Sequence, residues 1–299
     1  MLFCDTTGSQ KNFAKDPCVI RLGETYFLYY SLWIPEDGRE KLDIGIARSC
    51  DMEHWEIVGR VPIGDGCEKN GIGAPGALVL DGTVHLFYQT YGNDAADAIC
   101  HAISRDGVHF VKDATNPIFS PSADWCAGRA IDADVIAFRG RLYLYFATRD
   151  RAMKIQKLGV ASADLHSDFS RPAWRQEVRQ SILAPELPFE GECIEAPAAV
   201  VWRNEVYLFY GGAYNCSPQQ IGAAKSADAV HFDKLFAEPF LPAGAPGSWN
   251  AHESGHPFVF ADGDGRLWLF YQGTADHGES WYLTRREIVI RDGVPYFPD

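Results

Sequence analysis

The sequence predicts an all-β fold, a five-bladed β-propeller with four antiparallel strands per blade, and three observations lead there. First, the stretch from Asp16, DPCVIRLGETYFLYYS, recurs as APGALVLDGTVHLFYQ from Ala74, DADVIAFRGRLYLYFA from Asp132, APAAVVWRNEVYLFYG from Ala196 and HPFVFADGDGRLWLFYQ from His256. Aligned on Tyr26, Val84, Leu142, Val206 and Leu267, the copies are spaced by 58, 58, 64 and 61 residues. A long fixed period marks a repeat architecture. Second, each copy reads as two short strands, apolar and then aromatic, joined by a tight turn, and a second pair of alternating segments follows. Third, helical periodicity is almost absent. Two hairpins per repeat make one four-stranded blade, and five blades close a ring around a channel.

Taken in order, the first and second strands of each blade are the segments just quoted. Residues 44–51, 99–106, 158–164 and 221–228 read as third strands ending in a Ser-x-Asp turn, because Ser and Asp side chains bond the local backbone. Trp55, Phe110, Phe169 and Phe232 then mark outer strands and, recurring from copy to copy, read as structural. In the fifth blade residues 281–287 stand in the third-strand place, and 288–290 are expected to form the outer strand before Asp292-Gly293. Residues 175–183 carry a weak helical pattern within a loop. The repeats use up residues 1–299, so one propeller is expected to be the whole domain.

The chain of 299 residues is 46% hydrophobic and 13% aromatic, ample for a large core, and carries a net charge of −13. That charge argues against a nucleic-acid partner, since binding phosphate needs a basic face. No apolar run approaches the ~20 residues of a membrane span. The N-terminus lacks a basic region followed by an apolar core. The expectation is a cytoplasmic protein, or a secreted one without its signal peptide, acting as a monomer or small homo-oligomer. The eight cysteines form no C-x-x-C pair and are read as reduced, mostly structural thiols.

In a propeller the innermost strands line the channel, so the residues at their starts converge on one mouth. Those residues are Asp16, Ala74, Asp132, Ala196 with Glu195 just ahead, and His256. Ala74 and Ala196 show that the fold does not need an acid there, which sets Asp16, Asp132 and Glu195 apart as functional candidates. Converging carboxylates have their pKa values pushed apart, as acid/base chemistry requires, and two of them flanking a bond are the machinery of glycoside hydrolysis.

On these residues, DPCVI, IDADVIAF and IEAPAAVVWRNEVYLFYGG, together with the closing REIVIRDGVPYF, the chain resembles the five-bladed glycosidases of glycoside hydrolase family 43. That family shares a clan with family 62 and is related to families 32 and 68. The resemblance spans essentially the whole chain. It implies Asp16 as general base, Asp132 as the residue that tunes and orients the acid, and Glu195 as general acid. It further implies a hydrolase acting with inversion on a plant- or microbial-type oligo- or polysaccharide, an arabinofuranoside, xyloside or galactoside. No cofactor is required on this reading, although the resemblance allows a structural calcium ion in the channel near His256. The third-blade motif has Ala133 where the family usually has proline. Glu195-Ala-Pro also fits the acid motif of the retaining fructosidases, which keeps a β-fructosidase-like hydrolase or transferase as one alternative and a non-catalytic carbohydrate-binding propeller as another.

For sugar binding, His256, Trp33, Trp125, Arg149, Tyr214, Trp249 and Asn250 are the candidates beside the channel strands, with Phe13, Tyr91, Asn215 and Gln272 in a wider circle. The sequence His252-Glu-Ser-Gly-His256 matches the zinc-protease pattern, but that pattern needs a helix, and Gly255 and Pro257 interrupt one. No metal-ligand set is expected. Asp262-Gly-Asp-Gly265 reads as a hairpin turn rather than a calcium loop.

Overall fold

The computed structural model describes residues 2–9, 11–36 and 38–298. It contains five four-stranded antiparallel sheets. Blade one is built from β1 (Lys15–Leu22), β2 (Thr25–Glu36), β3 (Arg39–Ser49) and β4 (Glu56–Val61), and blade two from β5 (Ile72–Leu80), β6 (Thr83–Thr90), β7 (Ile99–Ser104) and β8 (Val111–Lys112). Blade three follows with β9 (Ile131–Phe138), β10 (Arg141–Arg149), β11 (Gln156–Asp164) and β12 (Arg175–Gln176). Blade four has β13 (Ile194–Trp202), β14 (Glu205–Gly212), β15 (Gln220–Ser226) and β16 (Asp233–Lys234), and blade five β17 (Glu253–Ala261), β18 (Leu267–Thr274), β19 (Tyr282–Arg291) and β20 (Val294–Tyr296). The first strands pack β1 against β5, β5 against β9, β9 against β13, β13 against β17, and β17 back against β1. The five-bladed ring is closed.

One expectation is corrected and another is sharpened. Residues 288–290 continue β19, and the outer strand of blade five is β20, after the Asp292-Gly293 turn. Residues 175–183 hold no helix: Arg175 and Gln176 pair with β11 as the outer strand of blade three. The weak periodicity there came from a loop that packs Val178, Ile182 and Leu183 onto the core between blades three and four.

The core lies between blades. Aromatic second-strand residues such as Tyr30, Tyr88, Phe146 and Tyr210 are fully buried there. Opposite Tyr30, Phe146 and Tyr210 the third strand carries glycine, where the ring needs room: a Cβ on Gly45 would sit 2.4 Å from the Tyr30 ring, and one on Gly222 2.4 Å from Tyr210.

The feature that builds the site is a bulge repeated in every blade. Lys15, Gly73, Ile131, Glu195 and Gly255 pair with Ser31, Gln89, Ala147, Gly211 and Gln272, and three residues further on the pairing resumes only two residues back on the partner strand. The residue after each of these positions takes a left-handed backbone: φ is 53° at Asp16, 43° at Ala74, 53° at Asp132, 50° at Ala196 and 41° at His256. A bulge of this kind re-aims a side chain next to a site.

Candidate active site

A bulge residue has no ladder partner for its N–H, and in all five blades the preceding blade supplies one. Asp16 N donates to Gln272 Oε1 (3.0 Å), Ala74 N to Ser31 Oγ (2.8 Å), and Asp132 N to Gln89 Oε1 (2.8 Å). Ala196 N donates to Asp132 Oδ2 (3.2 Å) and His256 N to Gln219 Oε1 (2.9 Å). Ser31, Gln89 and Gln272 occupy one register position on their second strands. Where that position is Ala147 or Gly211, too small to reach, Asp132 and Gln219 take over. These bonds run around the whole channel mouth and tie each bulge to its neighbour.

The bulges gather Asp16, Asp132, Glu195 and His256 in one pocket of about 360 Å³. The three acids are almost fully buried. His256 Nδ1 lies 3.0 Å from Asp16 Oδ1. Glu195 receives an N–H on each oxygen: Gln219 Nε2 donates to Oε1 (2.6 Å) and Gln156 Nε2 donates to Oε2. Burial pushes the Asp132 carboxyl up; His256 opposes that, and the negative charges of Glu195 and Asp16 add to it. Behind the pocket Glu253 is fully buried and accepts from Gln272 Nε2 and Cys216 N, both at 2.7 Å. Burial pushes its carboxyl up to about 7, against the pull of Lys15. Glu253 lies on a strand, so the zinc-protease pattern has no helix to act through.

The walls are aromatic on one side and cationic on the other. Phe13, Trp33 and Tyr91 form an edge-to-face series with ring centroids 6.2 and 5.6 Å apart, and Trp281 closes the same side beneath Lys15, whose Nζ is 4.3 Å from its ring. Arg149 lies over the Tyr214 ring at 5.3 Å. Of the sugar-binding candidates, His256, Trp33, Arg149 and Tyr214 therefore line the pocket. Trp125, Trp249 and Asn250 lie outside its walls. Trp249 packs on Tyr271 in the core between blades four and five, and Asn250 uses its amide to tie its loop to the start of β17, donating to Ser254 Oγ and accepting from Ser248 Oγ.

Sequence reading missed Lys15, Gln156, Gln219, Arg129 and Glu253. Lys15 had a signal: it holds the same repeat position as Glu195, one residue ahead of the bulge. The glutamines had none, since they come from the starts of third strands, where the copies differ in length. Calcium does not fit His256 in this setting. Its Nδ1 is engaged by Asp16, and calcium calls for six to eight oxygen ligands, which an imidazole does not supply.

Residues 10–292 match the family model described as Glycosyl hydrolases family 43. A search among curated proteins found no match. Among solved structures, a thermostable family-43 glycoside hydrolase superposes with a TM-score of 0.76 at 18% identity, covering 99% of this chain and 96% of that one. An α-L-arabinofuranosidase from Lactobacillus brevis gives 0.73 at 16% identity (99% and 96% covered), and an endo-1,4-β-xylanase from Bacteroides thetaiotaomicron VPI-5482 gives 0.72 at 20% (96% and 94%). At such identities the likeness is one of fold, whereas the family model spans nearly the whole chain. The chain belongs to glycosyl hydrolases family 43, and the enzyme is a glycosidase.

Proposed function

We propose that this glycosidase cleaves an arabinofuranoside, xyloside or galactoside with inversion, acting on a short or terminal segment of an oligo- or polysaccharide. The observation that carries the reading is the meeting of Asp16, Asp132 and Glu195 in one small, aromatic-walled pocket. Glu195 gives its proton to the glycosidic oxygen as the bond from that oxygen to the anomeric carbon breaks. Asp16, oriented by His256 and Gln272, takes a proton from the water that attacks the same carbon from the opposite face. Asp132 acts on the acid through the backbone, accepting from the N–H of Ala196 and so fixing the bulge that aims Glu195. A volume near the lower end of the range for ligand pockets suits one or two sugar rings better than a long chain.

A panel of aryl arabinofuranosides, xylosides and galactosides, with the anomer of the first-formed product followed by NMR, tests this. Asp16→Asn and Glu195→Gln should each lower kcat by about 10²-fold or more. A product that retains its configuration would instead make Asp16 the nucleophile of a fructosidase-like enzyme. A wild type inert on the whole panel would favour a carbohydrate-binding propeller.

A further inference from the structure

The two amides on Glu195 cannot be turned around. Gln156 Oε1 accepts from Arg149 Nε (3.0 Å) and from Arg129 Nη1 (3.2 Å), and guanidinium groups only donate. Gln156 must therefore present its NH₂ to Glu195. Gln219 Oε1 accepts from the backbone N–H of His256 (2.9 Å), so its NH₂ faces the two remaining acceptors, Glu195 Oε1 (2.6 Å) and Ala213 O (3.0 Å). The slot for Gln219 is kept open by two glycines. A Cβ on Gly211 would lie 2.7 Å from Gln219 Oε1, and one on Gly255 would lie 2.2 Å from the same atom. Neither glycine has a positive φ, so space rather than backbone freedom requires them.

We propose that Gln156 and Gln219 are positioning residues that dictate where the proton of Glu195 points. Each carboxyl oxygen has one lone pair committed to an N–H. A proton added to either oxygen must use the other lone pair, because an O–H aimed at an N–H would meet a hydrogen. The Cys193 thiol also bonds the Glu195 carboxyl, so with both amides locked the directions left to the proton are few, and they include those into the pocket that Glu195 lines, where the glycosidic oxygen arrives. The clamp also holds the carboxylate left after proton transfer. It links the acid on blade four to His256 on blade five, and through the His256 ring to Asp16. The inference rests on Glu195 being the general acid and adds what holds that acid ready.

The experiment compares, for the sugar that the wild type cleaves, its phenyl glycoside, which needs a proton on the leaving oxygen, with its 2,4-dinitrophenyl glycoside, which hardly does. In Gln156→Met and Gln219→Met, kcat/KM on the phenyl glycoside should fall about 10- to 100-fold, the loss of one hydrogen bond to a charged group. On the dinitrophenyl glycoside it should fall less than about threefold, since acid assistance is not needed there. Gly211→Ala keeps both glutamines but crowds Gln219 and should show the same selective loss, which covers the case in which a methionine variant fails to fold. An equal fall on both substrates in every folded variant would mean that the glutamines merely support the structure, and would overturn the proposal. Glu195→Gln separates the two levels. If it loses the phenyl glycoside selectively while the glutamine variants do not, the clamp alone is wrong; if it shows no selectivity, the assignment of the acid fails and takes the clamp with it.

Discussion

Asp132 and Asp134, two residues apart on β9, show how one strand uses two buried carboxylates differently. Asp132 faces the pocket. Asp134 lies deeper, at an apolar cavity of about 610 Å³ that fills the far half of the channel, and its Oδ2 accepts from Ala199 N at 2.6 Å. Burial pushes the Asp134 carboxyl up to about 7, and the backbone bonds recover only part of that cost. The folded value lies above the ~3.9 of an unfolded aspartate. The folded state therefore holds a proton between about pH 4 and pH 7 that the unfolded state has released. The stability linked to that proton is full below pH 4 and is lost as pH rises through about 7, by up to ~1.4 kcal/mol per pH unit within that window. Asp134→Asn accepts the same Ala199 bond without ever charging. Relative to wild type, the variant should gain on the order of a few kcal/mol between pH 5 and pH 8. Urea melts at the two pH values check this, and a difference that does not change with pH would remove burial as the cause. Asp132 titrates in both proteins and cancels.

At the scale of the element, the bulge sets a steric cost against an aim. A left-handed residue with a Cβ costs roughly 1–2 kcal/mol, and the channel mouth holds five of them, none a glycine. At Asp16, Asp132 and His256 the side chain needs the position. Ala74 puts no chemistry there and lies outside the pocket. Ala74→Gly removes the clash, while the looser unfolded chain gives back about 0.4–1 kcal/mol. A net gain of about 0.5–1 kcal/mol follows from those two figures. Thermal melts should show it with kcat unchanged; a loss of stability would mean that the Ala74 methyl packs better than the backbone is strained. The blades were legible in the sequence because strand period and turn chemistry are local, and the three acids were legible as exceptions to a repeat. The bulge was not, because aspartate, alanine and histidine do not announce a positive φ as glycine would. The sequence did not place Trp125 and Trp249 relative to the pocket, because an aromatic in a loop reads the same whether it faces a sugar or, like Trp249, packs on Tyr271. Gln156 and Gln219 were invisible because their role depends on which blade edges meet in space.

On the scale of the whole molecule, a ring built from one chain must be closed at a seam, here between blades five and one. The N-terminal segment crosses it. Phe3 and Leu283 exchange two backbone bonds of 2.8 Å, Trp281 N donates to Asn12 O (2.9 Å), and Ala14 N donates to Trp281 O (3.1 Å). Phe3 packs edge-on against Tyr30 at 5.1 Å, and the Tyr30 hydroxyl donates to Asp5 Oδ2 at 2.5 Å. The proposed base, Asp16, follows immediately, and both groups that orient it, His256 and Gln272, stand on the far side of the seam. The partners of Glu195 come from blades three and four, away from the seam. Closure and base placement are therefore one structural problem. Phe3→Ala should lower stability toward the low end of the ~3–5 kcal/mol typical of a phenylalanine truncation, since a chain end re-packs easily. It should also lower kcat several-fold at temperatures where the protein is fully folded, because Asp16 is displaced. Leu86→Ala supplies the comparison, since Leu86 is equally part of the core but lies in blade two, whose bulge residue is Ala74 and lines no part of the pocket. That variant should lose a similar amount of stability and keep its kcat. Equal kcat losses in the two would show that the site senses general loosening of the ring, whereas a loss confined to Phe3→Ala would show that the seam itself holds the base in register.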